Sequence, residues 1–454
     1  MNQTAKDLPR IVIIGGGFAG INVAKAFKKS AVEIDLIDKR NYHLFQPLLY
    51  QVATGELDPA NIAAPIRKIL WKQKNVHVAL GKVTAIDFEK KIVQFDGGAM
   101  DYDYLVIATG AQQSYFGHDD FRVHAPGLKS IDDALEIRRR LFLAFEEAEW
   151  EADEEARRKK LTFVIVGGGP TGVELAGAVK EVATETLPNE FRNIQSNSAR
   201  VILVDGGQRL VGPMPEDLGK KAQEVLEKMG VEIHLQVHVN DVTAEGVVIG
   251  EETIPAENVF WAAGVQGQDL AKDLNVEIDR GSRIVVEPDM SLPGHPEVFV
   301  VGDAAHATDA KTGNPVPGVA QGAIQTGRFV AEIIKQEIEG RAPKERPAFS
   351  YYDKGSMAMI GRGNAIAAIG KVHYSGILGW ISWNILHVMF LVGFRNRFKV
   401  MLDWLWNYIW KTRRSRLITG DPKVHIKRLY SERHNCEQHE KRRRLRRRHK
   451  DQEE

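Results

Sequence analysis

Residues 11–27 read IVIIGGGFAGINVAKAF, and residues 163–179 read FVIVGGGPTGVELAGAV. Each stretch opens with a β-branched apolar run, passes through G-x-G-x-x-G and continues in a helical pattern of small and apolar residues. Strand, tight turn and helix in that order are what the first crossover of a doubly wound α/β unit requires. One such motif is weak evidence, but its recurrence predicts two units.

Working outward, buried strands are expected at 33–37, 104–107, 201–204, 259–262 and 298–301, several ending in glycine and small residues. Strands alternating with helical patterns indicate a mainly parallel sheet in each unit. A charged helical stretch is expected over 131–160, with Ser130 as N-cap and Asp132 and Asp133 in its first turn. The strand that ends in Val301-Gly302-Asp303-Ala304-Ala305 is read as a return to the first unit, with the second inserted in it. The expected fold class is therefore α/β, with two Rossmann-like dinucleotide-binding domains, 1–115 plus 276–345 and 116–275, followed by a C-terminal region 346–410 and a basic tail 411–454.

The glycines assign a ligand class. Gly15, Gly17 and Gly20 supply the tight turn, the close approach to a pyrophosphate and the helix-on-strand packing, and the helix N-terminus offers free amides to the phosphates. Asp38, 23 residues after Gly15, suits a ribose hydroxyl. In the second copy, Gly167, Gly169 and Gly172 are followed by Asp205 only after 38 residues, so a longer helix or an insertion around 187–200 is expected. An acid there repels a 2′-phosphate and favours NADH over NADPH, although Arg209 nearby softens the discrimination. Glu174, in the first turn of the second helix, is either an acid favoured by the helix dipole or a contact to the nicotinamide end.

Composition bounds the rest. At 454 residues, 43% hydrophobic and 27% charged, with a mean hydropathy of −0.27, the bulk reads as soluble globular protein. The single cysteine, Cys436, excludes an intramolecular disulfide and a thiol pair beside a cofactor, which removes disulfide, peroxide and sulfide:quinone reductases. The first residues, MNQTAKDLPR, lack the pattern of a signal peptide, and a cytoplasmic body is expected. The net charge of +1 conceals 16 Lys/Arg against 7 Asp/Glu in 411–454, leaving 45 against 53, a net −8, on 1–410. An acidic body with a basic end suggests an anionic surface, membrane or nucleic acid.

Two further signatures, ATG at 108–110 and GDA at 302–304, resemble the two-dinucleotide flavoprotein reductases, in which the first loop binds FAD and the second NAD(P)H. More specifically, DKRNYHLFQPLLYQVA at 38–53 and AQGAIQ at 320–325 resemble type II NADH:quinone oxidoreductase, the non-pumping respiratory NADH dehydrogenase. That resemblance spans about residues 10–410. It implies FAD on the first loop with Thr109, Gly110, Ala320 and, at the ribityl chain, Asp303. It implies NADH against Glu174, and quinone, ubiquinone or menaquinone, against Gln321 and Gln325. Lys371 resembles a family lysine near the isoalloxazine. On spacing alone, glutamines one turn apart are usually a solvated face. Pro317 is expected at the N-terminus of their helix, whose dipole would stabilise reduced flavin. The implied reaction is hydride transfer from NADH to FAD, then electron transfer to a membrane quinone, without proton pumping.

From 372 to 394 there is no Lys, Arg, Asp or Glu, and five of the eight tryptophans fall between 380 and 410. Gly376, Gly379, Ser382, Asn384, His387 and Gly393 make a poor spanning segment, so two amphipathic helices are expected on the cytoplasmic leaflet, the second over 398–410. The alternative is an ordinary buried helix pair. The run 441–450, KRRRLRRRHK, reads as a solvated charge run with anionic lipid as partner. It lacks the interleaved aromatics and module of a nucleic-acid binder. His434, Cys436 and His439 match no standard zinc spacing, and no metal is expected. Competing readings are a soluble ferredoxin- or rubredoxin-type reductase and an NADH-sensing flavoprotein; the oligomeric state is open, a homodimer included.

Overall fold

A computed structural model describes residues 8–341 and 345–419. Its two glycine-loop strands seed two sheets of one plan. In the first, Arg10–Ile14 lies between Glu33–Asp38, followed outward by Val76–Leu80, and Tyr104–Ile107, all parallel. In the second, Thr162–Val166 lies between Arg200–Val204, followed outward by Val231–His234, and Asn258–Trp261, again all parallel. Each central strand is where the strand order reverses, so each loop opens at the crevice where α/β sheets bind ligands.

The likeness extends beyond the quoted loops. Each unit inserts a three-stranded antiparallel meander just before its last parallel strand: Val83–Asp87, Ile92–Phe95 and Gly98–Asp101 in the first, Val239–Thr243, Gly246–Ile249 and Glu252–Pro255 in the second. After the second unit the chain returns, and His295–Val300 joins the first sheet parallel to Tyr104–Ile107, with Val298 opposite Leu105. Central strands are covered on both faces, and Ile11, Val12, Ile13, Phe163, Val164 and Ile165 have no solvent contact. This is why they read as unbroken apolar runs and not as alternating ones.

The charged stretch after Ser130 is two helices, Ile131–Trp150 and Glu154–Lys160. Ser130 closes a capping box: its hydroxyl accepts from Asp133 N at 3.2 Å while the Asp133 carboxylate accepts from Ser130 N at 2.8 Å. Asp153 caps the second helix through Ala156 N at 2.7 Å, which explains the break.

The C-terminal region is a three-stranded antiparallel sheet, Ser356–Gly361, Asn364–Ile369 and Val372–Ser375, followed by helices Gly376–Phe390 and Phe394–Trp410. Residues 372–375 are therefore a strand and not the start of the first helix, and the second helix begins four residues earlier than its apolar pattern suggested. Gly379 lets the first helix approach the sheet: a Cβ there would lie 2.4 Å from Ala365 O. Trp383 and His387, one and two turns on, are buried on the same side. Most outward residues are apolar as well, with Leu378 66%, Met389 65%, Phe394 86% and Leu405 56% exposed, beside exposed Arg395, Arg397 and Lys399 at the start of the second helix. Among the described residues no helix is long and apolar enough to cross a membrane.

The chain after Trp410 packs back into the body, so a tail starting at 411 does not describe residues 411–419. Ser415 N donates to Gly55 O at 3.0 Å, and Arg416 pairs with Glu190 at 2.6 Å. Arg413, 6% exposed, donates to Thr54 Oγ1 at 2.6 Å and Glu181 at 2.8 Å. The basic run 441–450 and His434, Cys436 and His439 lie outside the described residues. Among the described ones no group of His, Cys, Asp or Glu side chains is gathered as a metal site.

Candidate functional site

The two glycine loops are built alike. Gly15 and Gly167 have φ of +105° and +115°, and a Cβ on them would strike Ala108 O at 2.3 Å and Ala263 N at 2.6 Å. The last glycines are closed against the first, where a Cβ on Gly20 or Gly172 would lie 1.9 or 1.7 Å from the oxygen of Gly15 or Gly167. Gly17 and Gly169 differ: a Cβ there would meet nothing within 4 Å. Their backbones are ordinary extended ones, so what glycine preserves at these positions is open space, as a bound pyrophosphate requires.

The two acids repeat one bonding pattern. Asp38 accepts from Gly16 N at 2.6 Å and Arg40 N at 2.7 Å; Asp205 accepts from Gly168 N at 2.6 Å and Gly207 N at 2.7 Å. Burial pushes the Asp38 carboxyl up, and these amides hold it back. The long interval before Asp205 is accounted for by a helix, Pro170–Glu181, that runs on through a π turn, Val182–Thr186, and by the loop that follows.

Opposite the first loop, Gly302 N donates to Thr326 Oγ1 at 3.0 Å, seating the Gly302-Asp303 turn on the helix Ala320–Ile338. That helix packs on the first glycine helix, with a Cβ on Gly327 only 2.8 Å from Ala19 O. Burial raises the Asp303 pKa, countered by Lys129 and Arg283 facing it. Lys129 is itself pushed down by burial, with Asp303 as the opposing charge. Nothing in the sequence near Ser130 had marked Lys129 as a site residue. Thr109 and Gly110 continue from the Ala108 backbone that Gly15 touches. Ala320 opens the helix; Pro317 and Gly318 stay in the loop before its N-cap, Val319, so Pro317 is not the helix start.

The two glutamines are not equivalent. Gln325 is committed to backbone, donating to Tyr352 O and accepting from Tyr352 N, both at 2.9 Å. Gln321 has its carbonyl oxygen buried with no partner among the described residues. A buried acceptor left unused is costly, and its natural complement is a donor on a bound molecule. Lys371 stands exposed at the turn between Asn364–Ile369 and Val372–Ser375, with no ion pair among the described residues, and is not gathered with the residues above.

Glu174 lines a small, partly open pocket with Tyr50, Met359, Trp380, Asn384 and Arg413, drawn from both units and the C-terminal region. Burial pushes its carboxyl up to about 8, although Met359 N donates to it at 3.2 Å. Gln321 does not line this pocket. Tyr50 belongs to the DKRNYHLFQPLLYQVA stretch, whose side chains bridge the first loop and the C-terminal helices. His43 Nδ1 is 3.1 Å from Gly16 O, Phe45 packs edge-on against Phe18 and His387, and Gln51 Oε1 accepts from Trp404 Nε1 at 2.8 Å.

These residues fit FAD on the first loop: open space beside Gly17, a half-buried carboxylate at Asp303 and an unused acceptor at Gln321. With the second loop and its acid, the fold and site define a two-dinucleotide flavoprotein oxidoreductase. The family model for pyridine nucleotide-disulphide oxidoreductases matches residues 9–327, and the NDH2 C-terminal domain model matches residues 353–412. The chain is 48% identical to a type II NADH:quinone oxidoreductase of Mycobacterium tuberculosis, Ndh, over 91% of this chain and 90% of that one. It is 30% identical to the type II NADH:quinone oxidoreductase of Staphylococcus haemolyticus over 80% of this chain and 90% of that one. NDH2 from Plasmodium falciparum, solved in complex with NADH, shares the fold with a TM-score of 0.83 at 20% identity, covering 89% of this chain and 99% of that one. The chain belongs to the type II NADH:quinone oxidoreductases.

Proposed function

We propose that this protein oxidises NADH at a bound FAD and passes the two electrons to a membrane quinone without pumping protons. Family membership supports the reaction. The observation that carries its placement at a membrane is the pair of C-terminal helices, mostly apolar on their outer face and tied to the first glycine loop through Phe45, Gln51 and His387.

The first loop, Asp38, Thr109, Gly110, Ala320 and Asp303 would hold FAD, which when bound supplies the hydride-accepting and electron-donating chemistry. The second loop and Asp205 would hold NADH, with the carboxylate of Asp205 disfavouring a 2′-phosphate. The helix Ala320–Ile338 directs its N-terminus toward the Asp303 side, where its dipole favours negative charge. Gln321 is the better placed of the two glutamines to meet the quinone, because Gln325 is already bonded at both ends of its amide: Gln321 Nε2–H would donate to a quinone carbonyl, and its open Oε1 would accept from a hydroxyl of the reduced quinol. Glu174, with a pKa near 8, can hold or release a proton close to neutrality beside both units. The outer faces of Gly376–Phe390 and Phe394–Trp410 would lie on the cytoplasmic leaflet, bringing the site to a lipid-soluble acceptor. The boundaries near 115, 276 and 346 mark FAD, NADH and membrane-associating regions in this reading.

Separated half-reactions test it. Gln321→Ala should leave reduction of the flavin by NADH within about two-fold while slowing reoxidation by quinone roughly ten-fold or more, the loss of one buried hydrogen bond. Equal slowing of both half-reactions would overturn the quinone assignment.

A further inference from the structure

Phe116 stands out on two counts. It is 67% exposed, and its φ is +53°, a left-handed backbone that a bulky residue rarely adopts. Nothing about packing an apolar core explains holding an exposed ring in that conformation, and such outliers gather at ligand sites.

The ring is held at a defined place. It lies over Gly264, where a Cβ would come within 2.4 Å of Phe116 Cζ and would push the ring aside. The strap beneath is closely bonded: Gln113 Nε2 donates to Ala263 O at 2.9 Å and Gly264 O at 2.7 Å, Trp261 Nε1 donates to Ser114 O at 2.8 Å, and Phe116 N donates to Ser114 Oγ at 3.3 Å. Ala111–Gln113 also pairs antiparallel with Val265–Gly267.

That place is next to the second glycine loop. Ala263, immediately before Gly264, is the residue whose backbone a Cβ on Gly167 would strike. The sheet order says which half of the dinucleotide passes there. Asp205, the ribose acid, ends Arg200–Val204 on one side of the central strand, so the adenosine half lies over that side. The opposite neighbour, Asn258–Trp261, leads directly into Ala263 and Gly264, so the other half of the dinucleotide passes over Phe116.

We propose that Phe116 forms an apolar wall for the nicotinamide ring of the NADH site, positioned by its strained backbone and by the absence of a side chain at Gly264. The inference rests on the reading of the second loop as the NADH site. Any mononucleotide ring crossing Gly264 would pack against an aromatic face that costs little entropy to order.

Calorimetric titration of the FAD-loaded full chain with NAD⁺ and, separately, with ADP-ribose tests it. Stacking of a base on an aromatic ring is worth roughly 5- to 100-fold in affinity. Phe116→Ala should weaken NAD⁺ binding by at least about five-fold on that scale and leave ADP-ribose binding within two-fold. Phe116→Tyr should keep the affinity, and Gly264→Ala, which displaces the ring, should reproduce the loss. Unchanged NAD⁺ affinity in Phe116→Ala, or equal weakening of both ligands, would overturn the inference. Failure of ADP-ribose to bind the wild-type protein, or binding indifferent to Asp205→Ala, would instead overturn the reading of the second loop.

Discussion

Replacing Arg413 with alanine should loosen the docking of both C-terminal helices. Its guanidinium is 6% exposed and holds the Glu181 carboxylate at 2.8 Å, Thr54 Oγ1 at 2.6 Å and Thr54 O at 3.3 Å, with Glu56 at 3.7 Å. Breaking a buried pair by removing one partner leaves an uncompensated charge and costs about 3–5 kcal/mol. Burial already pushes the Glu181 carboxyl up, and Arg413 is the nearest opposing charge. A carboxyl whose folded pKa is raised stabilises the fold fully below its unfolded value of 4.5 and loses that contribution as pH rises through the folded value. The deficit of Arg413→Ala should therefore shrink on acidification from neutral pH, and Glu181→Gln in the same chain should recover about half of it. Urea unfolding followed by tryptophan emission measures the loss, and hydrogen exchange over 376–410 reports whether it is local. A cost below about 1 kcal/mol, or no recovery with Glu181→Gln, would refute the assignment of Arg413 as the clasp.

Gln325→Ala removes two backbone partners of Tyr352 and should cost about 1–3 kcal/mol in thermal or urea stability, without the selective reoxidation defect of Gln321→Ala. Glu174→Gln should abolish a stability loss that the wild type suffers between pH 4.5 and about 8, because the raised pKa makes the ionised form the disfavoured one. That gain should reach about 2–4 kcal/mol at pH 9, measured by melting across a pH series. Ile381→Glu with Leu405→Glu, at positions 44% and 56% exposed, should reduce flotation with anionic phospholipid vesicles by roughly ten-fold or more while leaving flavin content unchanged.

The sequence showed most where one physical requirement acts on neighbouring residues. Loop glycines must bend or give way within a few positions, buried parallel strands must be apolar on both faces, and Ser130 with Asp133 must close a helix end. The meanders escaped because strands such as Gly98–Asp101 and Glu252–Pro255 are four residues long and mostly exposed, too short for a period to register. The clasp escaped because Arg413 sits in a basic run, and charge counting does not distinguish a solvated guanidinium from one paired with Glu181 across 232 positions. Gln321 and Gln325 looked alike because spacing places both on one helix face, whereas only the tertiary position of Tyr352 separates them. Lys371 was carried by resemblance alone, and the hairpin turn leaves it exposed.

The most direct measurement mixes the FAD-loaded full chain anaerobically with stoichiometric NADH, then with liposomes carrying ubiquinone or menaquinone, while following the flavin absorbance. The account predicts rapid bleaching by NADH and rapid recovery with the quinone vesicles, recovery that slows when the two C-terminal helices no longer bind lipid. A flavin that NADH leaves oxidised, or one that recovers with dioxygen but not with either quinone, would contradict it.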